Sequence, residues 1–182
     1  MPEILEIEAY RQLAARTVGR TVDDVVAPDP WFLKDGIDAS TLRAALVGRR
    51  VGGVRRIGKL LLIDLDDGPT LGLRFGMTGR LIVDGVAAID ALEYGPARDD
   101  PAWERFRLVF ADGGALAISD PRRLGGVLLD PDESRLGADA MTVTPEQLAA
   151  ALHRSTAPVK ARLMDQARLA GLGNLLTDES LW

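Results

Sequence analysis

The sequence contains no cysteine and a single histidine, His153. Without thiols there can be no disulfide and no thiolate zinc site, and any metal centre would have to be assembled mainly from carboxylates. No bound metal and no cofactor are expected. Long apolar runs are also missing. No stretch approaches the roughly 20 residues of a membrane span, and the first residues lack the basic-then-apolar layout of a leader, so the expected setting is the cytoplasm with no membrane partner. There are no internal repeats, low-complexity runs or flexible linkers. A basic footprint is absent as well: 22 Lys and Arg stand against 27 Asp and Glu, a net charge of -5, and the pI is about 4.9. Taken alone, that balance argues against nucleic acid, because phosphate binding usually leaves a positive patch.

What is present is an ordinary globular composition. With 182 residues, 47% hydrophobic and 27% charged, the chain can bury one good core or two small ones. The charge is unevenly placed. Arg49, Arg50, Arg55, Arg56 and Lys59 form one basic run, Arg122 and Arg123 a second, and Lys160, Arg162 and Arg168 a third, while acids gather in 84–104 and 130–139. A solvated charged face is the usual meaning of such clusters.

From 2 to about 18, apolar Ile4, Ile7, Leu13, Ala14 and Val18 recur at helical spacing, with Glu3 and Glu6 in the first turn, where the helix dipole favours acids. A shorter helix fits 39–47, stopped by Gly48. Seven short Val/Leu/Ile-rich segments follow, at 51–57, 59–65, 70–75, 80–84, 105–110, 115–119 and 125–129. Asp-Asp-Gly at 66–68 and Asp-Gly-Gly at 112–114 punctuate them as hairpin turns, the layout of a β-sandwich. The acidic stretch 84–104 reads as a mobile loop. In "TPEQLAAAL", Thr144 is an N-cap, Pro145 takes the first helical position and Gln147 closes a capping box. A further helix fits 157–169, broken by "AGLGN" at 170–174, and Thr177 can cap a last short helix, "DESLW", after which the chain stops as if interrupted and Trp182 lacks a partner. The fold class expected is α+β, with residues 1–131 as an N-terminal helix on a β-sandwich and 132–182 as a small helical unit, the boundary lying near 131–143.

The opening, MPEILEIEAY, has a chemical reading. Methionine before proline is commonly trimmed, which exposes a secondary amine; an α-amino group has a pKa of about 8, so a useful fraction is unprotonated near neutrality. Such an amine attacking a sugar C1′ gives an iminium ion, an electron sink for later elimination, and Glu3 beside it could move the protons. The plainer alternative is that Pro2 and Glu3 only make a good helix start.

Five motifs, "MPEILEIE", "RRIGKLLLIDL", "GMTGRL", "DPRRLGGVLL" and "MDQARLAGLGNLLTDESLW", occur in the order and spacing of the formamidopyrimidine-DNA glycosylases, the base-excision repair family that includes endonuclease VIII, and the resemblance covers essentially the whole chain. It implies an N-terminal helix on a β-sandwich followed by a helix–two-turn–helix domain, here truncated, with the family's four-cysteine zinc finger missing. It implies that Pro2 is the nucleophile forming a Schiff base with the damaged nucleotide, that Glu3 is its acid/base partner, and that Lys59 serves elimination and phosphate contact. A lysine guarding a sheet edge is the alternative for Lys59. Met77 matches the methionine inserted where the damaged base is extruded, although a methionine is also ordinary core filler. Arg122 matches the arginine facing the opposite base, against the alternative of a turn residue with a local salt bridge. In "AGLGN" the two glycines permit a turn whose N–H groups can face a phosphate, with Asn174 adding a side-chain donor and Lys160 on the preceding helix meeting the same backbone; a simple helix cap is the alternative.

Several positions depart from the family pattern. Leu124 replaces the phenylalanine wedge, Leu5 a proline, Arg74 a histidine before the "GM" turn, Trp103 lies near another histidine, and Ser155 stands where a basic phosphate contact is common. The resemblance implies a monomeric, nucleoid-associated cytoplasmic glycosylase and AP lyase acting on double-stranded DNA with oxidised bases, purines favoured, or abasic sites. With the finger's arginine absent, β-elimination at abasic DNA is expected to survive and δ-elimination to be largely lost. The alternative is a catalytically weak or inert DNA-binding remnant.

Overall fold

The computed structural model describes residues 2–89, 92, 95–96, 100–153 and 156–182. Met1, Ser155 and the middle of the acidic loop expected over 84–104 lie outside them. The first helix, α1 (Ile4–Ala14), buries Ile4, Ile7, Tyr10, Leu13 and Ala14, and a 3-10 turn at Ala15–Thr17 ends it. Val18, read as part of its apolar face, lies beyond the helix and is 46% exposed.

The strand β1 (Val22–Val26) precedes α2 (Ala39–Leu46), which is capped by Asp38 accepting from the Thr41 N–H at 2.7 Å. Then come β2 (Val51–Ile57), β3 (Leu60–Leu65), β4 (Thr70–Arg74), β5 (Arg80–Val83), β6 (Val86–Ala87), β7 (Glu104–Phe110), β8 (Ala115–Ser119) and β9 (Gly126–Leu129). They form two antiparallel sheets, ordered β2-β3-β4-β9 and β1-β7-β8-β5-β6. Side chains such as Leu61, Ile63, Leu73, Phe106, Leu108, Phe110 and Ile118 meet in one core between them, which α1 joins through Ile7, Tyr10 and Leu13. All seven segments read as strands are strands, and both hairpin turns form. Asp67 and Gly113 take the positive φ these turns require, 50° and 90°.

The apolar run of β3 is continuous because both its faces are covered. Leu61, Ile63 and Leu65 face the sandwich core, while Leu60 and Leu62 pack with Leu128 and Leu136 on the outer side. The chain beyond the sandwich supplies that cover. It holds β10 (Ala138–Asp139), α3 (Pro145–Leu152), α4 (Val159–Leu163), β11 (Leu169–Ala170) and α5 (Asn174–Leu181), with β10 and β11 paired in parallel. The capping box of α3 forms as read: Thr144 Oγ1 accepts from the Gln147 N–H at 3.2 Å and Gln147 Oε1 from the Thr144 N–H at 2.9 Å.

Two helix expectations need correction. The helix fitted to 157–169 is only the five residues of α4. Gln166 ends it by donating to the Met164 and Leu172 carbonyls and accepting from the Gly171 N–H at 3.0 Å, and residues 169–170 are extended because they pair with β10. The last helix starts at Asn174 behind an N-cap Gly173, so Thr177 is inside it, buried, and its hydroxyl has no partner among the described residues. Trp182 is fully exposed. Among the described residues no helix is long and apolar enough to cross a membrane.

Candidate active site and nucleic-acid interface

Pro2, buried just ahead of α1, opens onto a cavity of about 310 Å³ that it shares with Lys59, Arg74, Gly76, Leu124 and Gln166. One wall comes from each sheet turn read as functional and one from the C-terminal unit. Lys59 sits at the tip of the β2–β3 hairpin. Burial pushes its ammonium below the ordinary lysine range, and the nearby Glu3 charge opposes the shift. A lysine so placed is nearer to neutrality than an exposed one, which suits proton transfer.

The hairpin tip is held on two sides. Gly58, at φ 54°, donates its N–H to Asp139 Oδ2 at 2.7 Å. Arg56 bridges Asp139, at 2.5 Å, the Gly58 carbonyl, at 3.2 Å, and Glu8 on α1, at 3.1 Å. A Cβ added at Gly58 would come within 2.7 Å of Ala170 Cβ, so β11 abuts the tip directly and only glycine fits there.

Glu3 is 1% exposed, and its carboxylate accepts three backbone N–H bonds from the start of α5: Gly173 at 2.6 Å, Leu175 at 3.0 Å and Leu176 at 3.2 Å. A helix N-terminus with unpaired donors is an anion site, and here the anion is Glu3. The Ile4 N–H donates to the Gly171 carbonyl at 3.1 Å, fastening the same two segments. The N–H groups of both glycines of the "AGLGN" turn are therefore occupied from within, Gly171 by Gln166 and Gly173 by Glu3, which also takes those of Leu175 and Leu176 just beyond it. Asn174 is exposed with its side chain free of partners among the described residues. Lys160 is ion-paired with Asp178 of α5 at 2.6 Å.

Met77 and Arg122 lie on neighbouring loops that share one buried carboxylate. Asp120, fully buried, accepts from Thr78 Oγ1 at 2.6 Å and from the Arg122 and Gly125 N–H groups at 3.2 and 2.9 Å. A Cβ at Gly76 would meet the Leu124 backbone at 2.5 Å, so the loops touch. Arg122 and Leu124 are exposed and Met77 is half-buried, whereas Arg123 forks onto Asp29 at 2.6 and 2.7 Å. The second arginine of "DPRR" is thus an anchor, and the first has no side-chain partner among the described residues.

The basic run at 49–59 is consumed by internal pairs. Arg55 bonds Asp64 and Glu133, Arg56 bonds Glu8 and Asp139, and Arg49 and Arg50 bond backbone carbonyls, leaving Lys59 as the member of this run that faces the cavity, with Arg74 beside it. A wider depression lined by Arg16, Arg20, Asp84 and Asp112 offers little to an anion, because Arg20 is paired with both aspartates. Among the described residues no group of three His, Asp or Glu side chains is placed to hold a metal. Asp120 and Gln166 lie inside the "DPRRLGGVLL" and "MDQARLAGLGNLLTDESLW" motifs with no role assigned to them there, and Asp139 lies in no motif; all three hold the loops around the cavity in place.

The chain matches the formamidopyrimidine-DNA glycosylase N-terminal domain over residues 1–127. It is 38% identical over its whole length to the formamidopyrimidine-DNA glycosylase of Halorhodospira halophila, of which it covers 67%, and 35% identical to that of Chloroflexus aggregans, of which it covers 66%. A homologous enzyme of Arabidopsis thaliana is 30% identical and half covered, so the chain spans half to two thirds of these relatives. All of it also superposes on Lactococcus lactis Fpg in complex with N7-benzyl-Fapy-dG DNA, with a TM-score of 0.79 at 26% identity and 66% of that chain covered, and on the same protein bound to abasic-site DNA, with a TM-score of 0.78 at 25% identity. Family match, whole-length identity and shared fold agree: the chain belongs to the formamidopyrimidine-DNA glycosylase family.

Proposed function

We propose that this protein excises oxidised bases from double-stranded DNA, purines by preference, and then cleaves the strand as an AP lyase, acting as a monomer through a Schiff base on Pro2. The observation that carries this reading is the cavity shared by Pro2 and Lys59, with Glu3 fixed behind it. With Met1 removed, the Pro2 nitrogen attacks C1′ and the bond from C1′ to the base breaks as the base takes up a proton. The sugar ring opens to an iminium ion. Loss of a C2′ proton then sends electrons into that sink, the bond from C3′ to oxygen breaks, and the 3′ phosphate leaves. Lys59, whose ammonium burial pushes below the ordinary lysine range, supports the proton removal. The Lactococcus lactis protein has been captured on Fapy-dG-type and abasic DNA, and the same lesions are proposed as substrates here.

Borohydride trapping tests the reading. The processed protein should form a covalent adduct with an abasic or oxidised-purine duplex, and a form carrying an N-terminal tag should bind without forming one. Equal trapping by both would remove Pro2 as the nucleophile. Binding without any adduct would establish the alternative, a DNA-binding protein without chemistry.

A further inference from the structure

We infer that Trp31 and Lys34 form a second contact to duplex DNA, in which the indole lies flat against the deoxyribose–phosphate backbone and the ammonium meets a phosphate, beside the point where Arg122 and Leu124 approach. The inference rests on the DNA-binding reading above and extends it to a loop that no motif marks. Trp31 is 67% exposed, although tryptophan is among the more buried residue types on average and is enriched where surfaces meet a partner.

The side chain is exposed on a rigid mount. Asp29, itself buried, accepts from the Trp31 N–H at 3.1 Å while Arg123 grips its carboxylate, and the 3-10 turn Pro30–Phe32 continues into fully buried Phe32. A Cβ at Gly125 would lie 3.0 Å from the Phe32 ring, and one at Gly126 would lie 2.4 Å from Lys34 Cε. The Lys34 N–H donates to the Val127 carbonyl at 2.9 Å. The Arg123, Gly125, Gly126 and Val127 contacts join residues 29–34 to residues 123–127, so Trp31 is carried on the same support as Arg122 and Leu124, two exposed side chains of the "DPRRLG" loop.

The chemistry of the pair suits a sugar–phosphate strand. Lys34 Nζ donates to the Trp31 carbonyl at 2.7 Å and stands 5.3 Å from the centre of the indole ring, a preformed cation–π pair that presents a flat apolar face and a positive charge together. Of the nearby carboxylates, Asp29 is neutralised by Arg123, and Asp35 is the exposed acid next to Lys34. Continuity with Arg122 and Leu124 selects DNA over a protein partner as the occupant.

Fluorescence anisotropy of a labelled duplex carrying a tetrahydrofuran abasic analogue tests this. Trp31→Ala should weaken binding by about tenfold, and Trp31→Phe should restore most of it. Lys34→Ala should lower the slope of affinity against salt by roughly one counterion while Trp31→Ala leaves that slope unchanged. Adding duplex should also quench intrinsic fluorescence in the wild type more than in Trp31→Phe. Wild-type binding with unaltered affinity and quenching in the Trp31 variants would overturn the contact and leave the proposed function standing. Failure of the wild type to bind any duplex would overturn both. An equal tenfold loss on single-stranded oligonucleotide would place Trp31 on splayed bases and overturn the duplex contact.

Discussion

Glu3 accepts a 2.6 Å hydrogen bond from the backbone N–H of Gly173, a residue 170 positions away in the chain. The residue next to the candidate nucleophile is thereby the anchor of the C-terminal helix α5. Two roles fall on one carboxylate: it stands beside Pro2, and it satisfies the N–H groups of a helix start. Glu3→Gln should expose the conflict, since an amide has one acceptor oxygen for three donors and turns its own N–H groups toward them. We expect a loss of about 2–3 kcal/mol in urea unfolding together with loss of borohydride trapping. Retained stability with lost trapping would mean that the helix does not need the anchor.

Lys59 gives a stability change whose sign depends on pH. Its folded pKa lies below the unfolded one because burial disfavours the ammonium, so between the two values the unfolded chain binds more protons and stability rises with pH. At neutral pH the buried charge is a net cost. Lys59→Met should therefore be at least as stable as wild type near neutrality, with the advantage fading as pH approaches the ordinary lysine value of about 10.4, while strand cleavage falls by about a hundredfold or more. Thermal melts across that range, alongside cleavage assays, check both. A variant less stable at pH 7 than at pH 10, relative to wild type, would contradict the desolvation account.

Acid should act on the network behind the hairpin. Glu8 is held down to about 2, first by its hydrogen bond to Arg11 and further by Arg56, against the raising effect of burial. A depressed carboxylate contributes stability that is present above its unfolded value of 4.5 and is lost as pH falls toward about 2. Glu8→Gln should flatten the stability profile across this window. Asp139→Ala, which leaves the nearly buried Arg56 guanidinium short of a partner and frees the Gly58 N–H, should cost about 3–5 kcal/mol. An unchanged acid limb in Glu8→Gln would show that other carboxylates govern it.

The loops that flank the cavity share Asp120, and Asp120→Ala should reveal how much. The substitution orphans the Thr78 hydroxyl and two backbone donors, for an expected loss of about 2–3 kcal/mol. Because Met77 and Arg122 both hang on this carboxylate, discrimination between damaged and intact duplexes should fall before general affinity does. Anisotropy on the two duplexes measures the ratio, and a preserved ratio would mean that the loops are positioned independently of Asp120.

The local features of this fold were legible where a residue's neighbours in sequence are also its partners in space. Alternating burial in Phe106, Leu108 and Phe110, the Thr144–Gln147 box and the Asp-Asp-Gly turn are of this kind. Strand β1 was missed because it is an edge strand whose "VDDVV" puts two aspartates between its inward valines. Helix α4 was overextended because helical spacing continues through residues that Gln166 and β10 pull out of the helix. At the site, Pro2 and Lys59 could be matched through their motifs, and they do share a cavity. The occupancy of the glycine turn could not be read, because its acceptor comes from the opposite end of the chain. The basic run likewise gave no sign that Arg55 and Arg56 are spent on Asp64, Glu133, Glu8 and Asp139.

The same internal pairing sets a last expectation, at Lys160. Its ammonium is tied to Asp178 at 2.6 Å, with both side chains roughly half exposed. An exposed pair of this kind is worth about 0–1 kcal/mol, so removing one member should barely change stability. Asp178→Ala frees the lysine on the face that also carries exposed Asn174. If this face meets DNA phosphate, the variant should bind more tightly and its salt dependence should steepen by roughly one counterion. Asn174→Ala should instead weaken binding to damaged and intact duplexes alike without changing the slope, because a neutral amide releases no counterion. Removing an acid also relaxes the long-range field of a net-negative protein, so the double variant Lys160→Ala/Asp178→Ala separates the effects. A slope that returns to the wild-type value in the double variant places the contact at Lys160. A slope that stays steep attributes the gain to the field, and Lys160 then plays no part in holding the strand.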